Sequence, residues 1–136
     1  MLNRRFLRVK ALQSIYAYHQ SDSSNLPQAE KQLLTGVDDL YKLFVYQLSF
    51  WVEIKQFAER RIEENKQKHF PTEEDLNPNM KFFNNRILKA LDDNQHLIKL
   101  EEQYKINWAD SREDFIRYMF VKLTETPEYH EYMNNG

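Results

Sequence analysis

The chain has 136 residues, of which 41% are hydrophobic, 14% are aromatic and only two are glycine. This length is enough for one compact domain, and the absence of cysteine excludes disulfides and cysteine-ligated metal sites. A formal net charge of −2 excludes a polyanion-binding surface over the whole chain, so any nucleic-acid site must be a local patch. β-Hairpin turns favour glycine, and two glycines are too few to build many of them. The composition therefore predicts a single all-α domain, a bundle of about five helices.

The spacing of apolar residues predicts a first helix from about Asn3 to Gln20. Its apolar residues recur every three or four positions, and such a face normally packs against another element of a globular protein. We therefore expect this face to lie against another part of the protein. Its residues are Val9, Leu12, Ile15 and Tyr16.

Four basic residues crowd the start of this helix, and no acidic residue occurs before Asp22. They are Arg4, Arg5, Arg8 and Lys10. Cations at a helix N-terminus oppose the helix macrodipole, and like charges three or four positions apart destabilise a helix by roughly 0.2–0.5 kcal/mol per pair. Because an anionic ligand would reverse this penalty, the cluster is the candidate binding site.

A long second helix is predicted to begin near Pro27 and could extend to Lys68. About forty residues at about 1.5 Å per residue would span about 60 Å, which exceeds the width of a domain of this size. We therefore predict a kink or break around Gln47 to Phe50. A second basic cluster in this segment is interleaved with glutamates, which is typical of a solvated helix face. Its members are Arg60, Arg61, Lys66 and Lys68.

A connector is predicted from Phe70 to Asn79, because Pro71 and Pro78 disfavour helix in the residues before them and Thr72 is a good N-cap.

Three further helical segments are predicted after the connector. The first covers about Met80 to Leu91, and Asp93 or Asn94 can cap its short continuation. The residues expected to face inward are Phe83, Ile87 and Leu91. The starts of the last two helices are predicted at Ser111 and at Thr126-Pro127.

The sequence contains no pattern of an enzyme or a metal site. Its four histidines have no ligand spacing, and no glycine-rich phosphate-binding motif occurs. We therefore expect no catalytic residue, no metal and no cofactor. No apolar run approaches the length of a membrane span, so we expect a soluble, cytoplasmic protein without a membrane partner. An arginine-rich, acid-free start is also typical of a mitochondrial transit peptide, and this alternative stays open.

The basic cluster belongs to a longer pattern. It reads Arg4-Arg5-x-x-Arg8-x-x-Ala11-Leu12-Gln13-x-Ile15-Tyr16-x-Tyr18 and is closed by Gln20-Ser21-Asp22. This segment resembles the opening helix of the transcription antitermination factor NusB family. The remainder of the chain, including residues 57–62 and 71–79, is similar to the N-terminal part of long NusB variants. We therefore expect the chain to be the N-terminal part of a longer protein of this family.

The resemblance implies an all-helical, non-enzymatic protein that binds the boxA element of nascent RNA. It also implies pairing with the small ribosomal-subunit protein NusE and an indirect link to the RNA polymerase elongation complex. Arg4, Arg5 and Arg8 match the basic motif of the family, and Lys10 is added on charge alone. Tyr16 matches a tyrosine that can lie beside the RNA, although its place on the apolar face favours core packing.

The chain departs from the family pattern in three respects. Phe6 stands where a further arginine is common, and Val9 replaces an acidic residue. The second-half signature of the family, to which the resemblance assigns much of the NusE-binding surface, is absent from these residues.

A second function stays open on the residues alone. The chain could be a helical protein-interaction module, or a homodimer that buries an exposed aromatic surface. That surface would comprise Phe6, Tyr18, Phe50 and Trp51.

Overall fold

The structure, a computed structural model, describes residues 3–21 and 24–135, except for the side chains of residues 109–111. Over these residues the chain is all-α, so the predicted fold class is confirmed, although seven helices are present rather than about five. The helices are α1 (Arg4–Gln20), α2 (Leu26–Lys66), α3 (Glu73–Leu76), α4 (Arg86–Asp92), α5 (Gln95–Tyr104), α6 (Trp108–Thr124) and α7 (Pro127–Asn134).

The chain divides into two compact units, Met1–Val45 and Tyr46–Gly136, and the boundary falls within α2. The backbone of α2 is helical throughout Gln47 to Phe50, so the break that the sequence predicts there is absent. The prediction assumed that one domain must accommodate the whole helix. In the structure α2 contributes its first half to one unit and its second half to the other.

The first unit consists of α1 and the first half of α2. Asn3 is the N-cap of α1, and its Oδ1 accepts a hydrogen bond from the Arg5 backbone N–H at 3.1 Å, so the predicted start is confirmed. Asn25 Oδ1 accepts from the Gln28 backbone N–H at 3.2 Å at the start of α2. None of the residues of α1 is fully buried. In the first unit, α1 therefore contributes no fully buried side chain.

The second unit has the main hydrophobic core. Its centre is formed by side chains of α2 and α6, and Ile116 is 1% exposed. The Phe57 and Phe120 rings meet edge to face with centroids 5.5 Å apart, a favoured aromatic geometry. The buried cluster comprises Ile54, Phe57, Ala58, Ile116 and Phe120.

The third predicted helix begins later than the sequence suggests. Residues 80–84 form a turn, in which the Asn84 N–H donates to the Met80 carbonyl at 2.8 Å, and α4 starts only at Arg86. Asn85 sets this start, because its Oδ1 accepts from the backbone N–H groups of two residues that follow it. The prediction that Ile87 faces inward is wrong, since Ile87 is 72% exposed and its neighbour Leu88 is 8% exposed.

Three of the predicted caps are confirmed. Asn94 caps α5, Thr126 caps α7 with Pro127 in its first turn, and Thr72 forms a reciprocal capping box with Asp75 at α3.

The start of α6 differs from the prediction. The helix begins at Trp108, three residues before Ser111, and its backbone departs from helical geometry at Arg112. The Ser111 side chain, to which the predicted cap belongs, lies outside the described residues.

A partly buried ion pair joins α2 to α4. Lys55 Nζ lies 2.5 Å from Asp92 Oδ2, and Gln56 Nε2 donates to Asp92 Oδ1 at 3.1 Å. The Lys55 ammonium also lies 4.7 Å from the centre of the Phe83 ring. Partial burial raises the pKa of Asp92, but the hydrogen bonds from Lys55 and Gln56 together lower it by more than burial raises it. The pKa of Asp92 therefore lies below its ordinary value.

The last helix is fastened to the turn before α4 by polar groups. Lys81 Nζ donates to the backbone carbonyls of Tyr132 and Asn135, and so satisfies acceptors at the C-terminal end of α7. Asn85 Nδ2 donates to the Tyr132 hydroxyl at 2.9 Å, and that hydroxyl donates to the Lys81 carbonyl at 3.3 Å. Within the second unit, these bonds connect segments about fifty residues apart.

Candidate nucleic-acid interface

The three arginines of the basic motif lie on the first two turns of α1, and all three are exposed. Arg4 and Arg8 are four positions apart on the helix, so their Cα atoms are separated by about one turn, roughly 6 Å along the axis. No carboxylate in the described part of the chain forms an ion pair with Arg4, Arg5 or Arg8. Their guanidinium groups therefore face solvent as a local positive surface.

The second basic cluster has a different environment. Arg60 Nη2 lies 2.8 Å from Glu53 Oε1, Lys66 Nζ lies 3.8 Å from Glu63 Oε1, and Lys68 Nζ lies 3.5 Å from Asp75 Oδ1. Three of the four cations therefore lie beside carboxylates, and the fourth, Arg61, is exposed with its guanidinium carbon 5.8 Å from the centre of the Phe120 ring. Neighbouring carboxylates offset the charge of the second cluster, which distinguishes it from the cluster on α1.

Lys10 lies on a different side of α1 from Arg5. At 100° per residue the two positions are about 140° apart around the helix axis. A Cβ atom placed on Gly36 of α2 would lie 3.8 Å from Lys10 Nζ, so the ammonium lies close to the α2 backbone. The structure therefore groups the three arginines and places Lys10 towards α2.

Tyr16 is 65% exposed, and the interpretation of this residue as a core side chain is wrong. The other members of the predicted packing face are also exposed: Leu12 by 68%, Ile15 by 55% and Val9 by 45%. The half-buried residues of α1 lie on the other side of the helix and include Ala11, Ser14 and Tyr18, of which Ser14 and Tyr18 line a groove together with Gln28 of α2. The apolar pattern correctly identified which residues share a face of α1, but the prediction that this face is covered is wrong.

The electrostatics of α1 favour an anion. The N-terminal end of a helix carries a partial positive charge, and the arginines add to it. Four of the nineteen lysines and arginines lie in α1, and the rest of the sequence has fifteen of them against twenty-one acidic residues. The chain outside α1 is therefore net negative. A polyanion would therefore be attracted to the start of α1 and repelled by the average charge of the rest.

Other kinds of site were also sought. Over residues 3–21 and 24–135, no group of three or more histidine, aspartate or glutamate side chains could hold a metal ion. Among the helices described, none has the length and apolar character needed to cross a membrane. A groove of about 300 Å³ within the first unit is lined by uncharged side chains, including Ser14, Tyr18 and Gln28.

Comparison of the chain with protein-family models, with curated proteins and with solved structures gave no match.

Proposed function

We propose that this chain binds single-stranded RNA through Arg4, Arg5 and Arg8 of α1. The observation that carries the proposal is that these three guanidinium groups are exposed and unpaired by carboxylates in the described structure. Three of the four cations of the second cluster, Arg60, Lys66 and Lys68, have carboxylate partners. Arginine pairs well with phosphate oxygens, and a local positive surface on a net-negative chain suits a polyanion.

Tyr16 extends the proposed RNA surface. At 100° per residue it lies within about 20° of Arg5 around the helix axis, three turns further along α1. Its exposed ring can stack on an unpaired base, a contact worth roughly 1–3 kcal/mol in single-strand binding. The arginines would then hold the backbone while the tyrosine contacts a base. Lys10, which lies towards α2, has a lesser part in this proposal.

The resemblance to the NusB family supplies the proposed setting. In this proposal the chain acts in transcription antitermination on boxA-like RNA, together with NusE and through it with the RNA polymerase elongation complex. Three phosphate contacts alone give weak binding, so a partner that adds specificity fits the small number of cations on α1.

The salt dependence of RNA binding tests this proposal. For single strands the slope of log affinity against log salt is about −0.7 per phosphate contact, so three contacts give about −2.1. Raising the salt concentration from about 50 to 200 mM should then weaken binding by roughly twentyfold. Fluorescence anisotropy with a labelled single-stranded boxA RNA, with and without NusE, measures this slope.

Two triple variants separate the α1 site from general charge. Arg4→Gln, Arg5→Gln and Arg8→Gln together should bring the slope close to zero, without unfolding α1, because glutamine is also a good helix former. The control carries Arg60→Gln, Lys66→Gln and Lys68→Gln, which remove the same charge from the second cluster. It should keep the wild-type slope. Equal slopes in the α1 variant and the wild type would reject the arginines as the site, and equal affinity for scrambled RNA in the presence of NusE would reject the boxA setting.

A second candidate function, protein–protein interaction, is favoured by the exposed apolar face of α1. The aromatic surface proposed for a homodimer has a weaker basis. Phe6 and Trp51 are exposed, but Tyr18 and Phe50 are half-buried, and the Phe50 ring lies 5.6 Å from that of Trp108. Sedimentation velocity tests this second candidate, since a tight dimer that is indifferent to RNA would favour it over RNA binding.

A further inference from the structure

The exposed side of α1 carries a continuous apolar surface. We define the α1 apolar face as Val9, Leu12, Ile15 and Tyr16, each of which is at least 45% exposed. At 100° per residue these four positions fall within about 120° of arc, and they extend over about two helical turns. Apolar side chains gathered on one exposed helix face mark an interaction surface more often than scattered ones do.

Cations lie within the same arc. Arg5 and Arg8 project between the angular positions of Ile15 and Val9, just N-terminal to the apolar residues. The sequence has no acidic residue between Asn3 and Ser21, so α1 itself supplies no carboxylate to these guanidinium groups. A ligand that covers the face must therefore combine apolar contacts with negative charge at one end.

We infer that the α1 apolar face is a docking site for an acidic amphipathic helix of a partner protein. Such a helix places apolar side chains at i, i+3 or i+4, and i+7 against Leu12, Ile15 and Tyr16. Its carboxylates meet Arg5 and Arg8 at the N-terminal end of α1, where they also interact favourably with the macrodipole. This inference goes beyond RNA binding and does not depend on it.

Charge argues against a second copy of α1 as the occupant. In a parallel pair of α1 helices the arginines of the two copies would lie together and repel each other. In an antiparallel pair the arginines of each copy would meet the C-terminal half of the other α1, which has no carboxylate. In both arrangements the guanidinium groups would remain unpaired in an interface.

The geometry also argues against a lipid surface and against RNA over the apolar residues. A helix that lies on a membrane keeps its charges on the face opposite the apolar one, but Arg5 lies in the middle of the apolar arc and the opposite face turns towards α2. RNA bases stack on aromatic rings, and within the α1 apolar face only Tyr16, which the RNA proposal already uses, is aromatic; Val9, Leu12 and Ile15 are aliphatic. An acidic amphipathic helix can contact the aliphatic side chains of the α1 apolar face and can also pair its carboxylates with Arg5 and Arg8.

The inference is tested with a designed peptide of about 18 residues, long enough to be helical, that has leucine on one face and glutamate on the other. Two control peptides replace every glutamate with lysine or scramble the order of the residues. Fluorescence anisotropy at low salt, without RNA, should show saturable binding of the glutamate peptide that is at least about tenfold tighter than binding of either control, since about 1.4 kcal/mol corresponds to a factor of ten.

The variant Leu12→Gln/Ile15→Gln should weaken binding of the glutamate peptide by about a hundredfold, since each of the two substitutions removes roughly a tenfold contribution from apolar burial. Both residues are exposed, so the variant should keep the helical circular dichroism of the wild type. The matched control is Leu76→Gln/Ile87→Gln, which replaces another leucine and isoleucine that are more than half exposed, on α3 and α4. The affinity of this control for the peptide should stay within about twofold of the wild-type affinity, which is a change in binding free energy well below the 1.4 kcal/mol that corresponds to about tenfold.

The inference would be overturned by undiminished binding in Leu12→Gln/Ile15→Gln, by equal binding of the lysine peptide, or by no saturable binding of the glutamate peptide. It would also be overturned if these two residues were required for self-association, or for binding to phosphatidylserine vesicles, while the peptide was ignored. RNA affinity of the same variant is measured separately. Loss of peptide binding with RNA binding intact in this variant separates the Leu12 and Ile15 contacts from the proposed RNA site. Because Arg5 and Arg8 serve both proposals, the RNA proposal is judged by the salt slope of RNA binding by the arginine variant in the absence of peptide.

Discussion

The ion pair between Lys55 and Asp92 gives the sharpest test of the energetics of the second unit. The Lys55 side chain is 6% exposed, whereas that of Asp92 is 24% exposed. The variant Asp92→Ala leaves a buried ammonium with only the face of the Phe83 ring as a described neighbour that favours its charge. The variant Lys55→Met leaves a carboxylate that water reaches and that still accepts from Gln56. The two variants should therefore differ in stability.

The magnitude follows from this unequal burial. Removing one partner of a fully buried pair costs about 3–5 kcal/mol, and partial access of water at the Asp92 position reduces this to about 2–3 kcal/mol for Asp92→Ala. Lys55→Met should cost about 1 kcal/mol, because methionine fills the space of the lysine stem and the remaining carboxylate is hydrated. At a urea dependence of about 1–1.5 kcal/mol per M, Asp92→Ala should lower the unfolding midpoint by roughly 2 M.

Urea unfolding followed by tryptophan fluorescence measures these differences, since both tryptophans, Trp51 and Trp108, belong to the second unit. The control is Glu125→Ala, which breaks an exposed pair with Lys122 and should leave the midpoint unchanged. If Lys55→Met proved as destabilising as Asp92→Ala, the buried ammonium would not be the costly member of the pair. The argument from unequal burial would then be refuted.

Two further predictions concern pH and helix register. The pKa of Asp92 is lower in the folded protein than its ordinary value, so its stabilising contribution is complete above about pH 4 and is lost as the pH falls through the lower folded-state pKa. Urea midpoints of Asp92→Asn should therefore decline less steeply than those of wild type between about pH 4 and pH 2, and equal slopes would contradict the assignment. In α4, Leu88→Ala should cost about 2–4 kcal/mol and Ile87→Ala less than about 0.5 kcal/mol by the same urea assay, and the reverse order would show that the register is wrong.

Local signals in the sequence predicted the helix starts well where a side chain fixes them. Asn94, Thr126 and Thr72 cap helices because each oxygen lies next to the backbone N–H groups that it accepts from, and this requires no distant partner. The predicted helix start at Met80 follows Asn79, whose Oδ1 does accept from the Lys81 backbone N–H, but the turn there does not continue as a helix and α4 starts only after Asn85. Local chemistry alone does not choose between such competing caps.

The candidate site was predictable in position but not in its surroundings. Because no acidic residue occurs before Asp22, the sequence already suggested that the arginines would lack nearby carboxylates. Exposure of Leu12 and Tyr16 could not be predicted, because periodicity identifies which residues share a face but not whether that face is covered. The half-buried side of α1 instead includes the small residues Ala11 and Ser14, to which apolar patterning gives little weight.

The bonds from Lys81 to the end of α7 have a consequence for synthesis on the ribosome. Tyr132 and Asn135 follow Lys81 by more than fifty residues, so at about 5–20 residues per second the lysine leaves the exit tunnel several seconds before its acceptors do. During this interval the Lys81 ammonium is hydrated by water, and these bonds of the second unit cannot form. The helices of the first unit are neighbours in sequence, so α1 and its support from α2 are translated together and can form while the remainder of the chain is still being made.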